Sequence, residues 1–329
     1  MTTARGAWLK FIIVIIVLEI IVIILLGYRA YEKLLKGKVL GVTQVAVIKK
    51  QNLIFPQNDQ LKYFYEPKPN TDNVIEEEWL GYKAQNTINS DALNERFEYS
   101  PFKSPGVFRI VILGDSETFG IFVNTADNYS ERLEDLLNRE LRCNNINKFE
   151  VINLGAPGYD IQYSVHRFKT RGDKYQPDLV IWRVIDNDFQ DYIEGIEARM
   201  AEYASQTNPA GSAVKEQTNQ ETISLYLKAG QEMWDKYGEE AIKELQYGEL
   251  LNFMNQHKYP LLLFTPRNTA EKYKKLLHQT AQSRLFAYFF EGLDSYDKLA
   301  DTHPSPLGHQ QIAEELFGYL INQKIIPCR

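Results

Sequence analysis

The 329-residue chain carries 37 Lys+Arg against 43 Asp+Glu, a formal charge of -6, and is 44% hydrophobic with 12% aromatic residues. That composition suits one sizeable α/β domain with added segments, and an acidic balance with no long basic run after the apolar N-terminal segment excludes the basic face of a nucleic-acid-binding protein. Two cysteines, Cys143 and Cys328, are too few for a disulfide scaffold and too widely spaced to resemble zinc ligands, so no metal is expected.

Residues 1–10 read as a short tail. From Phe11 to Tyr28 the run FIIVIIVLEIIVIILLGY lies between Lys10 and Arg29, and at a helical rise it spans close to the hydrocarbon thickness of a bilayer, which predicts one transmembrane helix over 11–28. A cleaved signal peptide has a shorter apolar core and a small-residue cleavage site. Here the run ends in Gly27-Tyr28-Arg29 and passes into charged sequence, so it reads as an uncleaved anchor with Trp8 and Tyr28 at the interfaces. Glu19 lies mid-span, either as a single tolerated polar residue or as a group that is protonated or faces a partner helix. Arg5 and Lys10 compete with Arg29, Lys33, Lys36 and Lys38 beyond the helix; taken literally, the charge rule places the C-terminal domain in the cytoplasm.

Residues 29–106 hold a juxtamembrane stretch and a turn-rich aromatic lead-in, YFYEPKPNTDN, expected to be irregular and to pack on the main domain of 107–329. That domain opens with a buried strand, VFRIVIL at 107–113, the turn GDSETFG, and a helix from about Ala126 to Arg142 with Tyr129, Leu133, Leu136, Leu137 and Leu141 on one face. Further strands are predicted at 149–154, 178–185, 260–265 and 285–290. Strands alternating with helices imply a mostly parallel sheet covered on both faces. The stretch 191–248 exceeds an ordinary crossover and reads as helices around a polar loop, either a lid or a decoration. Ser305-Pro306 marks the start of a last helix running to about Leu320.

Ligands of an open α/β sheet bind beyond the carboxyl ends of the strands. In those places stand Gly114-Asp115-Ser116, Gly155-Ala156-Pro157-Gly158, Asn187-Asp188 and, near the C-terminus, Asp301-Thr302-His303-Pro304. A serine hydroxyl needs a base to accept its proton, and among five histidines only His303 sits in a turn before a helix with an acid two positions upstream. Asp301 can then hold its tautomer, and the Ser116 and Gly158 backbone N–H groups with the Asn187 amide can receive an oxyanion. Asp115 and Asp188 read as turn and cap formers. His309 is expected to pack or hydrogen-bond in the last helix rather than react, and His166, His257 and His278, in helical stretches, to take surface or core places.

The blocks resemble, in this order, the Ser, Gly, Asn and His blocks of the SGNH hydrolase superfamily, the GDSL esterases and lipases. The resemblance spans roughly 100–325, and the lead-in with YEPKPNT and NTINSDALNERFEYS is similar to that of bacterial membrane-anchored members. It implies a flavodoxin-like three-layer α/β/α sandwich with a mostly parallel five-stranded sheet, with Ser116 as nucleophile, Ser116, Gly158 and Asn187 around the oxyanion, His303 as base and Asp301 behind it. Gly158 rather than Gly155 fits the second block, five residues after Asn153. Three positions depart from the family pattern: one residue, not two, separates Asp301 from His303; Asp186 stands where glycine is usual; and Glu117 follows the serine where an apolar residue is common, which is expected to alter the substrate pocket. Asp297 is a weaker alternative acid.

In a flavodoxin-like topology the first and last helices share a face and direction, so Cys143 and Cys328 after them are expected to pair if the domain lies outside the cytoplasm, the alternative being two unrelated buried or exposed thiols. The resemblance implies an extracytoplasmic esterase or acyltransferase without cofactor, acting on O-acyl esters of cell-envelope or secreted polysaccharide. A lysophospholipase or thioesterase, and a glycan-binding member without catalysis, are the alternatives.

Overall fold

The computed structural model describes Leu53–Ile54 and residues 61–207, 219–293 and 295–328, all within the unit Val45–Arg329. The transmembrane helix expected at 11–28 lies outside the described residues; among these, no helix is long and apolar enough to cross a membrane.

The lead-in is more regular than expected. Strand β1 (Leu53–Ile54) pairs with β2 (Glu66–Pro67), and β3 (Thr71–Glu76) forms an antiparallel hairpin with β4 (Lys83–Ile88). Strand β4 alternates exposed and buried residues, but its buried face is Ala84, Asn86 and Ile88. With an asparagine at its centre, that face shows no hydrophobic period of two.

Five strands follow: β5 (Val107–Leu113), β6 (Lys148–Asn153), β7 (Leu179–Arg183), β8 (Leu261–Thr265) and β9 (Ala287–Glu291). They pair in the order β6-β5-β7-β8-β9, every pair parallel, which is the doubly wound order with its switch point beside β5. Between and after them run α1 (Ser116–Phe119), α2 (Tyr129–Glu140), α3 (Ile161–Arg167), α4 (Asp186–Gln190), α5 (Ile193–Thr207), α6 (Asn219–Tyr237), α7 (Glu239–Gln256), α8 (Glu271–Gln282) and α9 (Pro306–Asn322). The central strands are near-continuous apolar runs because both faces are covered. Ile110 and Ile112 meet Leu133 and Leu137 of α2 and Ile312 and Leu316 of α9. Val111 and Leu113 turn to the other side, against α3, α7 and α8.

The insertion is a packed lobe: Ile193, Ile196 and Met200 of α5 and Tyr226, Ala229 and Met233 of α6 share a cluster with Leu61, Phe64 and Tyr65 of the lead-in. A buried ion pair fastens the lead-in as well, Glu66 taking Arg167 at 3.0 Å and Arg171 at 2.7 Å.

Because α2 and α9 lie together on one face, the chain ends beyond them meet, and Cys143 and Cys328 form a disulfide with their Cα atoms 4.9 Å apart. The link closes a separation of 185 residues, so its loss frees a large loop in the unfolded chain. Replacing both cysteines by serine is expected to lower stability by about 2–4 kcal/mol, read as a lower urea midpoint; an unchanged midpoint would mean that the link constrains nothing.

Candidate active site

Strand β5 ends in Gly114, whose φ is +154° and where a Cβ would fall 2.1 Å from Thr118 Oγ1 and 3.1 Å from the Arg183 carbonyl. Only glycine permits this turn. Asp115 then caps α1, its Oδ1 accepting from Glu117 N at 3.0 Å, and Ser116 opens the helix. One helical turn cannot sustain itself and leaves its carbonyls orphaned. Here side-chain amides take them: Asn153 and Asn128 donate to Thr118 O at 2.8 and 2.9 Å, and Asn94 and Asn128 to Phe119 O at 2.8 and 2.7 Å. Asn86 of the lead-in hairpin donates to Gly120 O at 3.3 Å and Val123 O at 2.9 Å.

The loop before α9 brings the second half. Ser305 caps that helix by accepting from Gly308 N at 3.1 Å, and Leu299 N donates to His303 O at 2.8 Å. Thr302 adopts a left-handed φ of +80°, which turns the chain back so that Asp301 meets its near neighbour. The Asp301 carboxylate accepts from His303 N at 3.1 Å and from His303 Nδ1 at 2.7 Å. With Nδ1–H on a carboxylate, Nε2 is left to accept from Ser116 Oγ, 2.8 Å away. The single-residue spacing is therefore accommodated by one left-handed residue, at a cost of about 1–3 kcal/mol in strain. Asp297, the alternative acid, instead accepts from Ser305 Oγ. Ser116, Asp301 and His303 are only 1%, 3% and 6% exposed, and the Phe122 ring stands edge-on to the imidazole at 5.1 Å.

Gly158 and Asn187 follow the two strands that neighbour β5. Gly158, after β6, has a left-handed φ of +74°, and the preceding Pro157 carbonyl accepts from Tyr65 OH at 2.8 Å. Asn187 lies in the first turn of α4, after β7, with its Oδ1 buried and without a partner among the described residues. Gly155 serves packing instead. A Cβ there would come 2.5 Å from Phe119 N and 2.8 Å from Thr118, so its absence lets the end of β6 lie against α1 itself.

Burial and charge set the protonation states. Burial lowers the His303 pKa, but the hydrogen bond and charge of Asp301, with Glu117 and Asp115, outweigh it and raise it above 6.5. His309 is pushed down to about 3, by burial and then by Arg183. It accepts from Tyr129 N at 3.1 Å and stacks on that ring at 5.9 Å. Asp115 rises to about 6 through burial, then Glu117. Asp188, raised by burial and then by Asp115, caps α4 by accepting from Ile185 N at 2.6 Å.

Two family departures have structural causes. Asp186 accepts from Ala270 N at 2.9 Å, fixing the start of α8. Glu117, expected to alter the pocket, is engaged by Arg183, a buried arginine ending an otherwise apolar strand. The signal for that pair was the arginine in LVIWR.

In a 15N-imidazole NMR titration of the full chain, His303 is expected to titrate above the ordinary value of about 6.5 and to fall on Asp301→Asn, while His309 stays neutral down to the acid limit. A His303 insensitive to Asp301→Asn would remove Asp301 from its role. Gly155→Ala is expected to cost about 1–3 kcal/mol in chemical denaturation through overpacking on α1; an unchanged midpoint would show that α1 can shift freely.

The family model for GDSL-like lipase/acylhydrolase matches residues 110–316. No curated protein matches the chain. Similar solved structures include a two-domain esterase (CEX) active on acetylated mannans, at 15% identity and a TM-score of 0.42 over 68% of this chain and 51% of that one; the chain thus spans about half of that esterase. EstA from Pseudoalteromonas sp., an esterase, aligns at 15% identity with a TM-score of 0.37 over 66% and 98%. Axe2, an acetylxylan esterase from Geobacillus stearothermophilus, aligns at 15% identity with a TM-score of 0.37 over 66% and 95%. With more than half of its length matched by that family model, the chain belongs to the GDSL-like lipase/acylhydrolases, the SGNH hydrolase superfamily.

Proposed function

We propose that Ser116 is the nucleophile, His303 the general base and Asp301 its orienting acid, and that the substrate is an O-acyl ester on a cell-envelope or secreted polysaccharide, met outside the cytoplasm by a domain tethered through residues 11–28. The observation that carries the catalytic reading is the unbroken hydrogen-bond chain from Asp301 through both ring nitrogens of His303 to Ser116 Oγ.

As Ser116 Oγ bonds to the ester carbonyl carbon, its proton passes to His303 Nε2, and the carbonyl π electrons move onto oxygen. The backbone N–H groups of Ser116 and Gly158 and the Asn187 amide receive that charge. Asp301 stabilises the imidazolium. Collapse breaks the ester C–O bond, and His303 returns the proton to the leaving alkoxide. Water, deprotonated by His303, then releases the acid; a second alcohol in its place makes the reaction a transfer.

The Cys143–Cys328 disulfide supports an oxidising compartment and weighs against the literal charge rule for the N-terminal segment. Tight enclosure of Ser116 and His303 supports a short acyl group. The departures that favour a non-catalytic role, Glu117 and Asp186, have structural explanations.

Full-length protein in detergent is expected to be modified by a fluorophosphonate at Ser116, with labelling lost in Ser116→Ala and His303→Ala. Folded wild type that takes no label would refute the nucleophile. On a substrate panel, acetate release from acetylated glycans is expected to exceed hydrolysis of lysophospholipid or long-chain thioesters; the reverse order would replace the glycan reading with the lipid one.

A further inference from the structure

Arg183 has no exposed side-chain surface, and its Nε and Nη1 find no hydrogen-bond acceptor among the described residues. The rings of Phe264 and Tyr296 lie 5.7 and 5.8 Å from the guanidinium. Its Nη2 is ion-paired to Glu117 and donates to Tyr296 OH at 3.1 Å, and Tyr296 OH donates to the same Glu117 carboxylate at 3.0 Å. These three residues belong to the three segments that build the site. Glu117 directly follows the nucleophile. Arg183 ends the strand that leads to Asn187, and Tyr296 lies in the loop carrying Asp301 and His303.

We propose that Glu117, Arg183 and Tyr296 form a positioning unit that fixes the nucleophile turn against the base loop and balances charge around the His303 imidazole. This rests on the reading of His303 as the base. None of the three is a catalytic residue; each acts through Ser116 or His303.

The charged groups acting on the imidazole are Asp301 on its own loop and Asp115 and Glu117 on the α1 turn; His309 on α9 feels the imidazole too, and Arg183 on β7 acts on Asp115, Glu117 and His309 around it. The carboxylates favour the imidazolium, and the buried guanidinium opposes it. Intact, the two opposite charges partly offset one another at the imidazole, Glu117 keeping the upper hand. With Glu117 neutralised, the uncompensated cation disfavours protonation of His303; with Arg183 neutralised, the uncompensated carboxylate favours it.

The test uses full-length protein with Glu117→Gln, Arg183→Met, the double variant and Tyr296→Phe, reading kcat and KM for p-nitrophenyl acetate across pH and the His303 imidazole by NMR. Glu117→Gln is expected to move the acid limb and the NMR midpoint down by about 0.5–1 pH unit, Arg183→Met up by a similar amount, and the double variant back toward wild type. Each single variant, and Tyr296→Phe, is expected to lower kcat by about tenfold with KM within about threefold. Single variants that fold but leave the His303 midpoint unmoved, or shift it in the same direction, would overturn the proposal. Should Arg183→Met fail to fold, Glu117→Gln and Tyr296→Phe carry the test. The NMR midpoint needs no activity, so a failed base assignment, seen as activity retained in His303→Ala, is separable from a failed positioning unit.

Discussion

Ser116, the proposed nucleophile, stands on a single helical turn that has to be held from outside, and the rest of this structure is arranged around that requirement. Four residues make one turn of α1, too few for helical cooperativity, and the carbonyls of Thr118, Phe119 and Gly120 are taken by the amides of Asn86, Asn94, Asn128 and Asn153. Those asparagines come from the lead-in, from the cap of α2 and from the end of β6. Thr118 O and Phe119 O each accept from two of these amides, so loss of one asparagine removes a hydrogen bond worth about 0.5–1.5 kcal/mol without emptying either carbonyl. The clamp is polar because its targets are backbone oxygens. Apolar packing would exclude water but leave them without donors.

The lead-in is therefore part of the site's support. Glu66 reaches Arg167, Asn86 and Asn94 reach α1, and Arg96 pairs with Glu131 of α2 at 2.6 Å. A sheet and helices alone would present Gly114-Asp115-Ser116 at the right edge, yet leave the turn without half of its amide donors.

Three buried arginines, Arg109, Arg167 and Arg183, each meet a carboxylate: Glu150, Glu66 and Glu117. Desolvation offsets much of the attraction in such pairs, so their net stability is small, whereas loss of one partner is costly. They hold particular segments in register. Arg109 joins adjacent strands, Arg167 holds the lead-in to α3, and Arg183 holds the turn of Ser116 and Glu117 to β7.

Periodicity and turn chemistry by themselves determined the five strands, their alternation with helices and the positions of Ser116, Asn187 and His303 after strand ends or before a helix cap. These are local properties: apolar runs of strand length, a Gly-Asp turn, and Ser-Pro at a helix start. The pairing of Cys143 with Cys328 followed from topology rather than from their spacing. Only the tertiary structure decided that Thr302 turns left-handed so that Asp301 meets His303, that Glu117 belongs to Arg183, that Asp186 fixes α8 and that a hairpin with a buried asparagine supports α1. Each of these depends on a partner distant in the chain or on a backbone angle that residue type does not dictate. Polar partners leave no periodic trace in hydrophobicity, because what selects them is a single donor or charge presented from another element.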